Sequence, residues 1–464
     1  MNARTSAYEA ATAAVDALAL DAGPDSANDA THHDLASGWI KKYAVGEHMP
    51  VHSGGTFHMP SADDLWHPMG MEKAQVLIAT IYNGRKYCKK NGDYRQIADH
   101  AAAVADEPEF FKHAAMGVAT PKGFWTIDEK GCCAVMPLSL GHRQQFRLAW
   151  EPDFEAEAPR FDAMLALAFE GDHAADQIDL LEQIAGAALF GLMPKYQVAA
   201  MLLGKEGSGK STFQRILEAA FPPSVVGAVS PAVWSREYNV ASLAGKRLNV
   251  VGELSDDAPI PAAAFKNVTG GNLIEGRHPT HRPFYFTCQA AHLFASNVLP
   301  PTTDRTEAFF RRWRIVRFSN RIPEGRVDPD LLAKIIRDEM PAILGRAFRG
   351  AERVCHAGRL RTSPAHDAVI AKWKAAANPV QQFLLDAEWV RVDPAAPALP
   401  PRTVYDAYRR WASDSGFRNP FGRNHFIDLL DSTGASLGVV IKRTAQERER
   451  VFGVELLQST GVAT

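Results

Sequence analysis

The segment GKEGSGKSTF, from Gly204 to Phe213, places two glycines, a lysine and a serine at the spacing G-x-x-x-x-G-K-S. The apolar run QVAAMLL precedes it as a buried strand would, and STFQRILEAAF continues from its end with a helical pattern. Glycines let backbone N–H groups turn inward around phosphate oxygens, and a helix N-terminus adds partial positive charge. Because strand, loop and helix occur in the required order, the segment predicts a nucleotide-phosphate site rather than a loop without a ligand.

Two side chains of this loop would act on a bound nucleotide. Lys210 would reach the β- and γ-phosphates, and the Ser211 hydroxyl would hold a magnesium ion. The predicted ligands are therefore ATP and Mg²⁺. The predicted nucleotide-binding residues are Gly204, Glu206, Gly207, Ser208, Gly209, Lys210, Ser211 and Thr212.

Polar side chains end two later apolar runs. KRLNVVGEL delivers the carboxylate of Glu253, and HLFASN ends at Asn297. A carboxylate beside the phosphates can polarise a water and orient Mg²⁺ together with Ser211, which hydrolysis requires and transfer to a small acceptor does not. Asn297 would hydrogen-bond the γ-phosphate or the attacking water. The alternatives are a surface glutamate at a strand end and a capping or turn asparagine.

The arginine pair Arg311 and Arg312 precedes another apolar strand in FFRRWRIVRF. A ring-forming ATPase would place an arginine here to reach the γ-phosphate bound by its neighbour, and a planar, permanently charged guanidinium suits the charge of the transition state. A solvated basic edge is the alternative, and it describes Arg314 and Arg317 better. The predicted catalytic residues are Lys210, Glu253, Asn297, Arg311 and Arg312.

Composition limits the classes of protein to which the chain can belong. Its 464 residues predict two or three domains. A net charge of -2 provides no global basic field, so any contact with nucleic acid must come from local patches. Five cysteines without C-x-x-C spacing argue against a disulfide framework or a structural zinc site and suit a reducing cytoplasm. No apolar run approaches the length of a membrane span, and no export signal is visible.

Four histidines in the N-terminal half raise the question of a metal site. His48, His52, His58 and His67 are irregularly spaced across a predicted strand pair. Metal sites favour regular ligand spacing, so the pattern favours surface or packing histidines over a metal site.

The order of patterns along the chain predicts five regions. The C-terminal one has helices in NPVQQFLLDAEWV, TVYDAYRRWASDSG and GRNHFIDLLDSTG and strands in GVVIKR and RVFGVEL, a winged-helix pattern. The predicted regions are a weakly ordered lead-in (1–38), an α+β N-terminal domain (39–160), a helical collar (161–195), a P-loop ATPase domain (196–360) and a winged-helix-like domain (361–464).

Taken together, GKEGSGKST, NVVGEL, FKNVTGGNLIEGR, HLFASNVLP and FFRRWRIVRF resemble the motifs of superfamily 3 helicases, in particular the helicase part of phage, plasmid and poxvirus primase-helicases. Small-molecule kinases lack the Lys-x-x-Thr-Gly-Gly element between the acid and the asparagine. The resemblance is most specific from Gly204 to Phe318 and extends from about residue 50 onward. It implies an α/β fold: a P-loop NTPase core of the AAA+-like superfamily 3 type, with an α+β N-terminal region and a C-terminal winged-helix-like domain.

In that family the segment after the acid leads into a hairpin that grips the DNA backbone inside the channel of a hexamer. The resemblance therefore implies a homo-oligomeric ring and contacts with single-stranded and forked DNA. The residues implicated in DNA binding are Lys266, Arg277, His278, His281 and Arg282.

The chain departs from the family in two places. Many members have two adjacent acids where this chain has Gly252 before Glu253, so Glu253 must orient Mg²⁺ and activate water, or share the task with Ser211. Ahead of the motor there is no set of spaced catalytic carboxylates or zinc ligands, so the sequence does not predict priming activity.

The leading hypothesis is an ATP-dependent DNA helicase of a phage, plasmid or integrated mobile element. It would act in the cytoplasm of a bacterial host, with a primase or polymerase partner and no membrane. One alternative is a replication initiator or loader that uses the loop as a nucleotide switch. The other is a P-loop kinase, which the basic segment after the asparagine disfavours.

Overall fold

The computed structural model describes residues 30–457 except 86, 87, 170, 172, 256, 257, 280–282, 303, 417–419 and 444–447. The fold is mixed α/β and is divided into two compact units. Unit 1 comprises Met1–Pro301 and Arg311–His366, and unit 2 comprises Thr302–Phe310 and Asp367–Thr464. Among the described residues there is no helix with the length and apolar character that crossing a membrane requires.

Unit 1 begins with helices packed on small antiparallel sheets. The first helix starts in a capping box, because the Asp34 carboxylate accepts a 2.9 Å hydrogen bond from the Thr31 backbone N–H and the Thr31 hydroxyl accepts one from that of Asp34. This helix begins inside the predicted lead-in, of which residues 1–29 lie outside the described residues. The elements are α1 His32–Lys42, β1 Val51–Ser53, β2 Thr56–Pro60, β3 Trp66–Met69, α2 Met71–Tyr82, α3 Asn91–Val104, β4 Val118–Thr120, β5 Gly123–Ile127 and β6 Cys133–Met136.

The middle of the chain alternates helices with strands. The elements are α4 Pro159–Ala168, α5 Ala174–Leu189, α6 Leu192–Lys195, β7 Ala199–Gly204, α7 Lys210–Ala220, β8 Val226–Gly227, α8 Glu237–Ala241, β9 Leu248–Val251, α9 Ala262–Thr269, β10 Leu273–Gly276, β11 Phe284–Thr287, β12 Ala291–Ser296, α10 Glu307–Phe310, β13 Trp313–Phe318, α11 Leu331–Asp338 and α12 Met340–Ala357.

A five-stranded parallel sheet forms the centre of unit 1. Its strand order is β13-β7-β12-β9-β8, and every neighbouring pair is parallel. All six residues of β12 are buried, as expected for a strand covered on both faces. From β7 the chain crosses to β8 at one edge of the sheet, and it then returns through β9 and β12 to β13 at the other edge. The connections that leave the neighbouring strands β7 and β12 therefore run in opposite directions across the sheet. In open α/β sheets, ligands bind outside the carboxyl ends of the strands at such a reversal.

Helices α5 and α12 pack closely together beside this sheet. The close approach depends on Gly186, where a Cβ atom would lie 2.0 Å from the carbonyl oxygen of Ala347. Arg353 of α12 donates a 2.6 Å hydrogen bond to Glu182 of α5. Small residues therefore let the two backbones meet, and an ion pair fixes their register.

Unit 2 contains helices and short antiparallel strand pairs, with β14 (Val390–Val392) paired to β17 (Val454–Leu456) and β15 (Val440–Arg443) paired to β16 (Glu449–Phe452). The three predicted C-terminal helices and the strand in GVVIKR are confirmed, except that the WV end of NPVQQFLLDAEWV leads into strand β14 instead of extending the helix. The single strand predicted in RVFGVEL is wrong, because the chain turns at Gly453, with a φ angle of 83°, and the two halves pair with different strands. The remaining elements are α13 Pro364–Ala376, α14 Pro379–Leu385, β14 Val390–Val392, α15 Pro401–Asp414, α16 Arg423–Gly434, β15 Val440–Arg443, β16 Glu449–Phe452 and β17 Val454–Leu456. Short 3₁₀ turns cover Phe110–His113, Leu140–His142, Pro223–Val225, Pro231–Val233, Glu324–Arg326 and Ala435–Leu437.

Candidate functional site

The glycine-rich loop joins the carboxyl end of β7 to the N-terminus of α7. Gly207 and Gly209 have φ angles of 72° and 94°, a left-handed conformation that glycine adopts without strain. At Gly204 a Cβ atom would lie 2.2 Å from the carbonyl oxygen of Phe318, so the close contact between β7 and β13 also requires glycine. The eight residues predicted to bind nucleotide all lie on this loop or on the first turn of α7.

Lys210 is the buried cation of the loop. Its Nζ donates hydrogen bonds to the carbonyl oxygens of Gly204 and Lys205, at 2.5 and 2.7 Å. Burial lowers the pKa of the ammonium group, while the charges of Glu253 and Glu206 act in the opposite direction. The ammonium group is thus held within the loop by backbone carbonyls, in reach of any anion that the loop encloses.

Asn297 connects this lysine to the predicted acid. Its Oδ1 accepts a 3.1 Å hydrogen bond from Lys210 Nζ, and its Nδ2 donates a 2.6 Å bond to Glu253 Oε1. The two partners determine the amide orientation, because an ammonium group can only donate and a carboxylate can only accept. Lys210, Asn297 and Glu253 therefore form one hydrogen-bonded chain.

The sheet topology explains why these three residues meet. Glu253 lies two residues beyond the end of β9, and Asn297 directly follows β12. Since β7, β12 and β9 are adjacent and parallel, their carboxyl ends lie side by side. The Leu254 backbone N–H donates to the Ala295 carbonyl at 2.8 Å, which fixes the segment carrying Glu253 against β12. Ser211 and Glu253, the predicted Mg²⁺ ligands, both have exposed side chains.

Three residues that support the loop had not been predicted. Gln214 of α7 is buried and donates a 3.0 Å hydrogen bond to the carbonyl of Val251, which ties the helix to the end of β9. The Ile322 N–H donates to the Gly207 carbonyl at 2.9 Å. A Cβ atom at Gly207 would lie 3.6 Å from Cγ of Arg321. These contacts join segments that are far apart in the chain, α7 to β9 and the segment after β13 to the loop, which local sequence spacing does not reveal.

Arg311 and Arg312 lie at the amino ends of the strands, whereas the loop lies at their carboxyl ends. Arg312 directly precedes β13, and its carbonyl accepts a 2.7 Å hydrogen bond from the N–H of Ala199 at the start of β7. Because the two strands are parallel and rise about 3.3 Å per residue, the loop is roughly 17 Å away along β7. The structure therefore does not bring these arginines to the loop of their own chain.

The two arginines differ in environment. The Arg312 side chain is buried, donates to Gln197 Oε1 at 3.3 Å and has its pKa lowered by burial. Arg311 is exposed. Arg311 is thus the arginine of the pair that is available to another molecule.

The residues predicted to bind DNA lie on α9 and around the β10–β11 hairpin. Lys266 is in the last turn of α9 and is partly buried. Arg277 follows β10, with its Nη1 3.9 Å from Glu237 Oε1, and the His278 ring stacks on Phe284 at 5.1 Å. His281 and Arg282 lie outside the described residues. Arg277 and His278 are thus the first two residues of the connection between β10 and β11.

The four N-terminal histidines are separately engaged. His58 is buried against Phe111, His52 pairs with Asp106 and His67 pairs with Asp63. In the described ranges, no three His, Cys, Asp or Glu side chains form a group that could hold a metal ion. His48 packs edge-on against Trp66. These contacts give each histidine a packing or pairing role.

Comparisons with known proteins link the central segment to one family. The model of a family of unknown function, DUF5906, matches residues 202–312. No curated protein matches the chain. Among solved structures, the A form apo structure of the NrS-1 C-terminal region is similar with a TM-score of 0.47 and 12% identity, over 91% of this chain and 99% of that one. The apo structure of NrS-1 residues 305–718 has a TM-score of 0.46 and 12% identity, over 92% and 100%.

Proposed function

We propose that this chain is an ATP-dependent DNA helicase that works as a ring during replication of a phage, plasmid or other mobile element in a bacterial cytoplasm. The observation that carries the proposal is the hydrogen-bonded chain of Lys210, Asn297 and Glu253 beside the glycine-rich loop. A phosphate-binding cation, an amide and a carboxylate at one edge of a parallel sheet are the groups that nucleotide hydrolysis needs. On this proposal the parallel sheet is a P-loop NTPase core.

The residues present fit ATP and Mg²⁺. Backbone N–H groups at a helix N-terminus favour anions, and the first turn of α7 contains no acidic residue to oppose phosphate binding. Ser211 and Glu253 would hold the metal ion, which would neutralise charge on the phosphates. Both side chains are exposed at the edge of the sheet where the loop begins.

The catalytic step follows from the contacts of the three linked residues. Lys210 exchanges its carbonyl partners for phosphate oxygens, and Asn297 then orients the attacking water or the γ-phosphate. Glu253 accepts a proton from that water as the water oxygen bonds to the γ-phosphorus. The bond between the γ-phosphorus and the ADP oxygen breaks, and ADP leaves. The amide of Asn297 thereby couples the phosphate-binding residue to the base.

Assembly into a ring would complete the site. Arg311 is exposed and too far from its own loop to act there, which supports a role at the γ-phosphate of a neighbouring subunit. Arg312 is buried and better suited to fixing the start of β13. A ring would also bring the hairpins of all subunits to one channel, where Lys266 and Arg277 would contact the phosphates of a single strand.

The decisive experiment measures ATP hydrolysis with and without single-stranded DNA, and strand displacement on a forked duplex, for the wild-type chain and Glu253→Gln. We expect DNA-stimulated hydrolysis and unwinding that the substitution removes. Binding of ATP and DNA without unwinding would favour an initiator or loader. Hydrolysis or transfer that is indifferent to DNA would favour a kinase.

A further inference from the structure

A cavity of about 340 Å³ opens near the amino ends of the strands of the parallel sheet, away from the glycine-rich loop. Arg247, which directly precedes β9, forms part of its wall, and Gln289 lies two residues before β12. Thr287, the last residue of β11, and Gly271, two residues before β10, place the cavity at the base of the β10–β11 hairpin. The cavity is therefore separate from the proposed nucleotide site.

Arg247 is the central feature of this cavity. Its backbone is anchored, since its N–H donates to Val225 and its carbonyl accepts from Ala291. The guanidinium lies against the Phe146 ring at 5.8 Å, and a Cβ at Gly191 would lie 3.0 Å from its Nη2. Among the described residues, none accepts a hydrogen bond from this guanidinium or forms an ion pair with it. A partly buried cation without a counter-charge is costly, and an anion in the cavity would relieve that cost.

Two further polar groups of the cavity wall, on Lys195 and Thr287, likewise have no acidic partner among the described residues, whereas Lys112 does. Lys195 is exposed, and its Nζ contacts the Met116 sulfur at 3.8 Å rather than a carboxylate. The Thr287 hydroxyl oxygen is buried without a hydrogen-bond partner among the described residues. Lys112 is paired with Glu109 at 2.7 Å. No aspartate or glutamate occurs among the described residues that line the cavity.

We propose that this cavity binds a phosphate group. A planar guanidinium and an ammonium group supply charge-assisted hydrogen bonds to phosphate oxygens, and rotation of the Thr287 side chain about χ1 adds a further donor. The phosphate can belong to a nucleic-acid backbone passing the hairpin or to a small free anion. Phosphate binding in this cavity is independent of the proposed hydrolysis of ATP, because none of the residues assigned to ATP binding or hydrolysis lines the cavity.

The test uses the full chain carrying Lys210→Ala, so that the glycine-rich loop does not contribute the signal. The melting temperature is measured at increasing concentrations of sodium phosphate, of sodium chloride at equal ionic strength, and of a single-stranded dT oligonucleotide. A ligand that binds only the folded state raises the melting temperature as its concentration increases. The same titrations are repeated with Lys195→Met, Thr287→Val or Arg247→Gln added, and Lys372→Met and Thr80→Val serve as matched controls.

We expect phosphate or the oligonucleotide to stabilise the protein beyond the chloride effect, with affinity reduced about tenfold or more by Lys195→Met and Arg247→Gln, as for loss of a charge-assisted hydrogen bond. Stabilisation by phosphate identifies a small anion, and stabilisation by the oligonucleotide alone identifies a nucleic-acid backbone. Lys195 is exposed, so its variant will fold even if Arg247→Gln does not. Thr287→Val should weaken binding without lowering the melting temperature of the unliganded protein. The proposal is overturned if neither ligand stabilises the protein, or if Lys195→Met binds as tightly as the Lys372→Met control.

Discussion

Asn297 Nδ2 donates a 2.6 Å hydrogen bond to Oε1 of Glu253, a residue 44 positions earlier in the chain. The same amide accepts a hydrogen bond from Lys210, the proposed phosphate-binding lysine, so Asn297 joins that lysine to the carboxylate. On the proposed mechanism, Glu253 exchanges this bond for one to water before it acts as a base. Binding of phosphate by Lys210 would therefore loosen the amide and prepare the carboxylate.

Glu253→Gln should retain ATP binding and lose turnover by about 10²–10⁴-fold, because an amide cannot accept the proton of the attacking water. Binding is measured with a fluorescent nucleotide analogue and turnover by phosphate release. Glu218→Gln, an exposed glutamate on α7, is the matched control and should hydrolyse ATP normally. Wild-type turnover by Glu253→Gln would show that another group is the base.

Lys210→Ala should weaken ATP binding by roughly 100-fold, since it removes charge-assisted hydrogen bonds to phosphate. Lys205→Ala changes an exposed lysine of the same loop and should have little effect. Equilibrium titration of both variants with ATP and Mg²⁺ measures the difference. Equal affinities would remove Lys210 from the proposed site.

The arginine pair should separate into a catalytic and a structural member. Arg311→Ala should abolish hydrolysis with an unchanged melting temperature, whereas Arg312→Ala should lower the melting temperature because it empties a buried position. Mixing Arg311→Ala with Lys210→Ala should restore some hydrolysis at interfaces that combine two intact halves. Absence of recovery at every mixing ratio, in rings shown to exchange subunits, would contradict a shared site.

Replacing Lys266, Arg277 and Arg282 together by alanine should weaken binding of single-stranded DNA alike for all sequences and flatten its salt dependence. Basal hydrolysis should survive, while stimulation by DNA and unwinding should be lost. Binding is measured by anisotropy between low and moderate salt. The control replaces three exposed lysines elsewhere in the chain, Lys41, Lys89 and Lys372, by alanine. If both triple variants bind DNA equally well, the hairpin is not the DNA contact.

Acidification should destabilise unit 1 partly through His58. Burial lowers the pKa of His58 to about 3, and its neutral ring accepts from Gln145 at 3.2 Å and lies 3.3 Å from the Ser53 carbonyl. Between an unfolded pKa of about 6.5 and the folded value, the unfolded chain binds more protons, so stability falls by up to about 1.4 kcal/mol per pH unit on acidification. Urea unfolding from pH 7.5 to pH 5 should show a shallower decline for His58→Gln. The exposed His113→Gln should keep the wild-type slope.

Much of the candidate site could be predicted because its signals are local. The strand, glycine-rich loop and helix around Lys210 follow one another in the chain, and Glu253 and Asn297 come directly after apolar runs. The positions of α15 and α16 were likewise evident from helical spacing. The supporting contacts of Gln214, Ile322 and Arg321 were not, since they join segments whose separation in sequence carries no signal.

The sequence by itself determined which side chains are available for chemistry and the approximate positions of the elements around the glycine-rich loop and in the C-terminal region, because these depend on neighbouring residues. Only the tertiary structure decided the order β13-β7-β12-β9-β8, which brings Asn297 between Lys210 and Glu253. It also decided that Arg311 is exposed while Arg312 is buried, and that Arg247 faces a cavity without a carboxylate. The physical reason is that parallel strand pairing and side-chain burial are set by contacts between distant segments, and buried apolar strands look alike in sequence whichever neighbour they pair with.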